Sequence, residues 1–356
     1  MPPRISAIRC ANAGRRASLQ KSKVPLAAVF GCAGEVLSEA ERDFFAAADP
    51  LGFILFKRNC ADPGQVTRLV KSLRDAVGRA DAPVLIDQEG GRVARLGPPH
   101  WPAYPAPAQI AARGGDAAEQ AARAAARLIA DDLSRLGISV DCFPLLDLAF
   151  PGADKVIGDR AWGAEPAMVA RLARAACDGL LQGHILPVIK HIPGHGRAQV
   201  DSHHALPRVA ASRDLLESSD FAPFRALRDV PWAMTAHVVY EVIDAERPAT
   251  LSRRVIGEAI RGSIGFDGVL ISDDLSMGAL SGGMAARTEA ALAAGCDLVL
   301  HCNGNMMEMT EVARAAQPLS DLATQRLTRG RPDRGTAAPF DRAAAEARLH
   351  DLMALA

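Results

Sequence analysis

Residues 190–207, KHIPGHGRAQVDSHHALP, place one Lys, four of the nine His and one Asp directly after the apolar run ILPVI. Such groups are costly to desolvate, so this stretch is either a solvated loop or a working site. A second run, GVLISDDLSMGAL, leads four apolar residues into Ser-Asp-Asp. Asp273 then stands at the end of a strand, where an ionised carboxylate can act as a nucleophile, while Asp274 begins the turn and is expected to cap a helix. A third run, DQEGGRVARLG (87–97), pairs acids with Arg92 and Arg95 across a Gly-Gly turn. Asp87 can accept two hydroxyl hydrogen bonds, and a guanidinium can hold a carboxylate or carbonyl in a fixed fork. VIGDRAWG (156–163) adds Arg160 in a glycine-flanked loop. This lining suits a polar, polyhydroxylated ligand, although local ion pairing would also explain each Arg taken singly.

Short β-rich runs must position these groups: 25–31, 52–56, 83–91, 138–148, 185–196, 232–239, 268–274 and 297–304. Several are continuously apolar, as parallel strands covered on both faces are. Helical patterns separate them, notably 119–137, 165–183, 252–265 and 284–295, each ending in Gly. Eight strands alternating with helices predict a single-domain (β/α)8 barrel, with a doubly wound open sheet as the alternative. Most strand ends carry polar groups: Asp87 and Glu89, Asp147, Lys190 and His191, His237, Asp273 and Asp274, His301 and Asn303. In a barrel these ends converge on one mouth. One or two could be helix caps; their concentration predicts a shared site.

KHIPGHG followed by DSHH resembles the signature of family 3 glycoside hydrolases, in particular their single-domain β-N-acetylglucosaminidase branch. VLIDQEGGRVARL, VIGDRAWG and ISDDLSMGAL resemble that branch's other motifs, in the same order, and the likeness spans roughly residues 24–320. The resemblance implies a retaining enzyme in which Asp273 is the nucleophile, His203 the general acid/base and Asp201 its partner. It implies that Asp87, Arg95, Arg160, Lys190 and His191 bind the N-acetylglucosamine unit. It further implies peptidoglycan recycling, with N-acetylglucosamine removed from 1,6-anhydro-N-acetylmuramoyl peptides, and no cofactor. A histidine in the acid/base role has a physical rationale: on losing its proton it becomes neutral, not a second anion beside the nucleophile. The Gly and Ser content of the loop carrying it suggests movement over the bound sugar. His195 and His184 are expected to be structural, His204 exposed, and Trp101 either an aromatic wall or part of a Pro-stiffened packing loop.

The bulk numbers set limits. With 49% hydrophobic residues there is ample core, and 41 basic against 41 acidic residues give no pull toward nucleic acid or an anionic membrane. Seven cysteines without a CxxC pair argue against a disulfide framework and for a reducing cytoplasm. No stretch approaches the roughly 20 apolar residues needed to span a bilayer. Residues 1–22 are basic and lack a sustained apolar core, so they read as a tail ahead of a domain over 23–356 that includes C-terminal helices. A monomer acting on a small glycoside, a muropeptide, is expected. A metal-dependent barrel hydrolase would use clustered His, Lys and Asp, but the first strand ends in VFGCAG instead of His-x-His. A sugar-binding protein without catalysis would have no need of both Asp273 and the Asp201/His203 pair.

Overall fold

The computed structural model describes residues 24–330 and 340–354. Eight strands, β1 (Leu26–Gly31), β2 (Pro50–Leu55), β3 (Val84–Ile86), β4 (Val140–Asp141), β5 (Leu186–Ile192), β6 (Trp232–Thr235), β7 (Val269–Asp274) and β8 (Leu298–His301), close into a parallel barrel in chain order. β8 returns to β1 with Ala28 opposite Val299. The open-sheet alternative is thereby excluded.

Alternation along the strands decides what lies inside. Val29, Leu85, Val140, Val188, Trp232, Val269 and Ile271 fill the barrel interior. Their neighbours Ala28, Phe30, Val84, Ile86, Ile189 and Leu270 face the surrounding helices. Two residues beyond the inward Leu85, Val188 and Ile271 come Asp87, Lys190 and Asp273. The same period that packs the core therefore aims these three charges into the mouth.

The helices follow their sequence signals. Gly115–Arg135, Pro166–Gln182 and Met284–Ala294 match the expected spans closely. Glu165 caps the second of these, accepting from the Ala167 N–H at 2.9 Å, with Pro166 in the first turn. Its Gly179 lies so near the preceding helix that a Cβ there would meet the Arg123 carbonyl oxygen at 2.4 Å. The pattern at 252–265 folds as a π-helical segment, Val255–Ser263. The C-terminal helix Arg342–Ala354 buries Leu349 and Leu352, and Arg342 binds Asp131 at 2.8 Å and Asp132 at 2.6 Å.

Five strands are shorter than the apolar runs suggested, among them β8, which ends at His301 within the run 297–304. The run 83–91 leaves the barrel at Asp87, and Gln88–Gly90 turns back on Val93–Ala94 as a small hairpin. The run 138–148 is strand only at Val140–Asp141, the run 185–196 stops at Ile192, and 232–239 stops at Thr235. Past Thr235, Val239–Tyr240 pairs with Arg208–Val209. In each case prolines, glycines or polar residues end the ladder before hydrophobicity does. No helix among the described residues is long and apolar enough to cross a membrane. The tail expected at 1–22 lies outside the described residues.

Candidate active site

A cleft of about 480 Å³ opens at the C-terminal ends of the strands, lined among others by Asp87, Arg95, Arg160, Lys190, His191 and Asp273. Its floor is a chain of ion pairs. Asp87 accepts from Lys190 Nζ at 2.8 Å through Oδ1 and from Arg95 Nη2 at 2.9 Å through Oδ2. Lys190 Nζ also meets Glu89 Oε1 at 2.7 Å, and Arg160 forks onto Glu89 through Nε and Nη2, both at 2.8 Å. Three cations face two carboxylates, which leaves one net positive charge beneath the cleft. Burial pushes the Asp87 carboxyl up, but Lys190 and Arg95 outweigh it and hold it well below the usual carboxylate range. Burial likewise opposes Glu89, and Arg160 and Lys190 hold it low.

Asp273 stands across the cleft, with 17% of its side chain exposed. Its Oδ1 accepts the N–H of Asp274 at 2.8 Å, and its Oδ2 faces His191 Nε2 at 3.9 Å. Burial raises the carboxyl's pKa, yet the fields of His191 and His237 and that N–H keep it below its ordinary value. The carboxylate is therefore ionised with one oxygen uncommitted. Asp147, fully buried behind it, holds His191 through Nδ1 at 2.7 Å and takes the His195 N–H at 2.6 Å. His191 thus turns Nε2 toward the cleft.

His203 lies on the loop after the PGHG turn, exposed over 58% of its side chain and lining the same cleft. Asp201 Oδ1 holds its Nδ1 at 2.7 Å and its backbone N–H at 2.8 Å. The two hydrogen bonds from His203 overcome desolvation and lower the Asp201 pKa. The loop rests on the turn that follows Asp273: Gly278 N–H donates to the His203 carbonyl, and Ala279 N–H to that of Ser202, both at 3.1 Å.

Residues 35–329 match the family model of the glycosyl hydrolase family 3 N-terminal domain. The chain belongs to glycosyl hydrolase family 3. It is 39% identical over 314 residues to a protein named beta-hexosaminidase from Alkalilimnicola ehrlichii, covering 85% of this chain and 88% of that one. It is 40% identical over 280 residues to another of that name from Bordetella avium, covering 76% and 79%. Among solved structures it is similar to NagZ from Neisseria gonorrhoeae in complex with N-trifluoroacetyl-D-glucosamine, at 33% identity and a TM-score of 0.83, covering 93% of this chain and 99% of that one. The chain is a glycoside hydrolase.

In this family 3 hydrolase all eight residues singled out from the sequence as site residues line one cleft. Of the other strand-end groups Asp274 also lines it, whereas His237 and His301 do not. His237 is buried between Thr250 and the Asp274 carbonyl, and His301 is buried against Glu308, which also binds Asn303. Asp274 caps no helix: it accepts from the Ser276 N–H at 3.0 Å and the Cys302 N–H at 3.1 Å, while the next helix begins at Met284 behind Gly283. Arg92 ties the hairpin to the 155–159 loop, bonding Asp159 at 2.7 Å and the Lys155 carbonyl at 2.8 Å. Trp101 packs in the core, and His204 is exposed at the rim. Among the described residues no three His, Cys, Asp or Glu side chains are grouped to hold a metal ion.

Asp147, as the anchor of His191 and His195, was missed by sequence reasoning, as was Asp141. Asp141 is fully buried, takes the Gln88 N–H at 2.9 Å through Oδ1 and leaves Oδ2 without a partner. The signal existed for both: an Asp inside the apolar run ISVDCFPLLDL is too costly to bury without a task.

Proposed function

We propose that this hydrolase is a retaining β-N-acetylhexosaminidase that removes terminal N-acetylglucosamine, with Asp273 as nucleophile and His203 as general acid/base. The observation that carries the reading is the meeting of Asp273 and the Asp201–His203 pair over one cationic, hydrogen-bonding floor. In the first step Asp273 Oδ2 attacks the anomeric carbon. The glycosidic bond breaks onto the departing oxygen, which takes a proton from His203 Nε2. In the second, His203 takes a proton from water as the water oxygen attacks the same carbon and frees Asp273. Asp201 stabilises the doubly protonated ring before the first step and after the second, and between the steps it holds the neutral ring by Nδ1–H with Nε2 free to act as base. Asp87, Lys190, Arg95, Arg160 and His191 hold the sugar, and His191 Nε2 is near enough to Asp273 for one sugar hydroxyl to bridge them.

The two relatives named beta-hexosaminidase and the N-trifluoroacetyl-D-glucosamine complex of the similar structure support the sugar. The aglycone we propose is a 1,6-anhydro-N-acetylmuramoyl peptide, hydrolysed in the cytoplasm by a monomer during peptidoglycan recycling. Unbridged thiols at all six described cysteines agree with a reducing setting. A 2-acetamido-2-deoxy-5-fluoro glycosyl fluoride should label Asp273, located by peptide mass mapping, and the first product should retain its anomeric configuration. Label on another carboxylate, or inversion, would sink the assignment.

A further inference from the structure

The turn after the nucleophile is unusually well braced. Asp274 accepts from Ser276 through both its N–H, at 3.0 Å, and its Oγ, at 2.6 Å, and it also holds the Cys302 N–H. Arg287 Nη1 donates to the Leu275 carbonyl at 2.6 Å and to the Met277 carbonyl at 3.2 Å. On this platform the His203 loop lies backbone to backbone. Its docking bonds run from Gly278 and Ala279, and Ser202, itself buried, adds a third link through Oγ to His195 Nε2 at 3.1 Å. A Cβ at Gly278 would meet the His203 carbonyl oxygen at 2.8 Å and the His204 carbonyl oxygen at 3.0 Å. Those atoms belong to the loop's backbone and cannot swing aside as a side chain would.

We propose that Gly278 is a positioning residue for the reaction: its missing side chain lets the braced turn of the nucleophile seat the loop of the acid/base. The two halves of the chemistry are thereby held in register by main-chain contacts. The inference rests on the acid/base reading of His203 given above. A displacement of the loop by a few tenths of an ångström or more moves the imidazole relative to the glycosidic oxygen, and proton transfer is sensitive to such shifts.

The test compares Gly278→Ala, Ser202→Ala, His203→Ala and wild type on 4-nitrophenyl and methyl N-acetyl-β-D-glucosaminides. The value of kcat/KM reports the step through glycosylation, where only the methyl glycoside needs a strong proton donor. Gly278→Ala should lose about 10- to 100-fold on the methyl glycoside and no more than about threefold on the nitrophenyl one. Inhibition by N-acetylglucosamine should change less than about twofold, because the sugar floor is untouched. Amide hydrogen exchange across 197–206 should quicken in Gly278→Ala. Ser202→Ala, which alters the loop and leaves the turn intact, should show the same selective loss more weakly, and it decides the matter if Gly278→Ala does not fold. Equal losses on both substrates, no loss, or unchanged exchange overturns the proposal while His203→Ala remains selective. If His203→Ala itself shows no leaving-group selectivity, the acid/base reading fails and takes this inference with it.

Discussion

Lys190 carries three N–H groups, and its two carboxylate partners, Asp87 and Glu89, take at most two of them. The remaining donor, on a side chain only 2% exposed, has the cleft as its outlet. Burial lowers the tendency of such an amine to stay charged, but Asp87 and Glu89 reverse the balance and raise its pKa. Lys190→Ala removes both the proposed sugar contact and the charge that joins two buried acids. Its KM should rise at least about tenfold, as loss of a charged hydrogen bond implies. Urea denaturation should show a loss of about 3–5 kcal/mol, the usual cost of leaving a buried ion without its partner. An unchanged KM would contradict the proposed floor. Lys190, Asp87 and Asp273 were legible in the sequence because each continues the inward phase of an apolar strand. Asp147 was seen only as one more polar strand end, and Asp141 was not seen at all. Nothing in one dimension tells that a carboxylate will be folded behind a histidine 44 residues later in the chain.

The 156–163 loop is held by two arginines whose settings differ sharply. Arg160 is buried and forks onto Glu89, which is wholly buried, whereas Arg92 and Asp159 are both nearly half exposed. Solvent screens the second pair, and exposed pairs contribute about 0–1 kcal/mol. Arg160→Ala leaves Glu89 with Lys190 alone, so a loss of about 3–5 kcal/mol is expected there. Arg92→Ala should stay within about 1 kcal/mol even with its carbonyl bonds counted, and should alter KM little. Thermal melting and N-acetylglucosamine inhibition of the two variants check this, and equal effects would contradict it. Strand and helix identities were readable from period and from Gly, Pro and cap residues. The hairpin at Gln88–Gly90, the early end of β4 and the seat of the His203 loop were not. Their shape is fixed by side-chain carboxylates and main-chain contacts between distant loops, and apolar periodicity carries no record of those.

Across the whole molecule the buried titratable groups give stability a pH dependence of mixed sign. Burial and the neighbouring His191 push His195 down to about 4, from an ordinary 6.5. As pH falls the unfolded chain binds this proton first, so the contribution is intact above about pH 6.5, declines from there to about pH 4 and is level below. Between pH 7 and 5 this one group should cost roughly 2 kcal/mol. His237, lowered chiefly by burial, acts with the same sign. Asp87, Glu89, Asp147 and Asp273, all lowered, extend the loss below about pH 4, the ordinary carboxylate range. Asp141 opposes them. Burial raises its pKa well above the usual range, so the folded state keeps a proton that the unfolded chain has released. Its contribution is present at low pH and is lost as pH rises through the folded value. Asp141→Asn keeps the oxygen that accepts the Gln88 N–H but carries no charge to desolvate. This variant should be more stable than wild type at pH 8, with the gap closing toward pH 4. His195→Gln should instead flatten the decline between pH 7 and 5. Urea denaturation at pH 4, 5, 7 and 8 measures both differences. If Asp141→Asn is less stable than wild type at pH 8, the buried carboxyl is ionised and held by the positive floor, and its sign must be reversed.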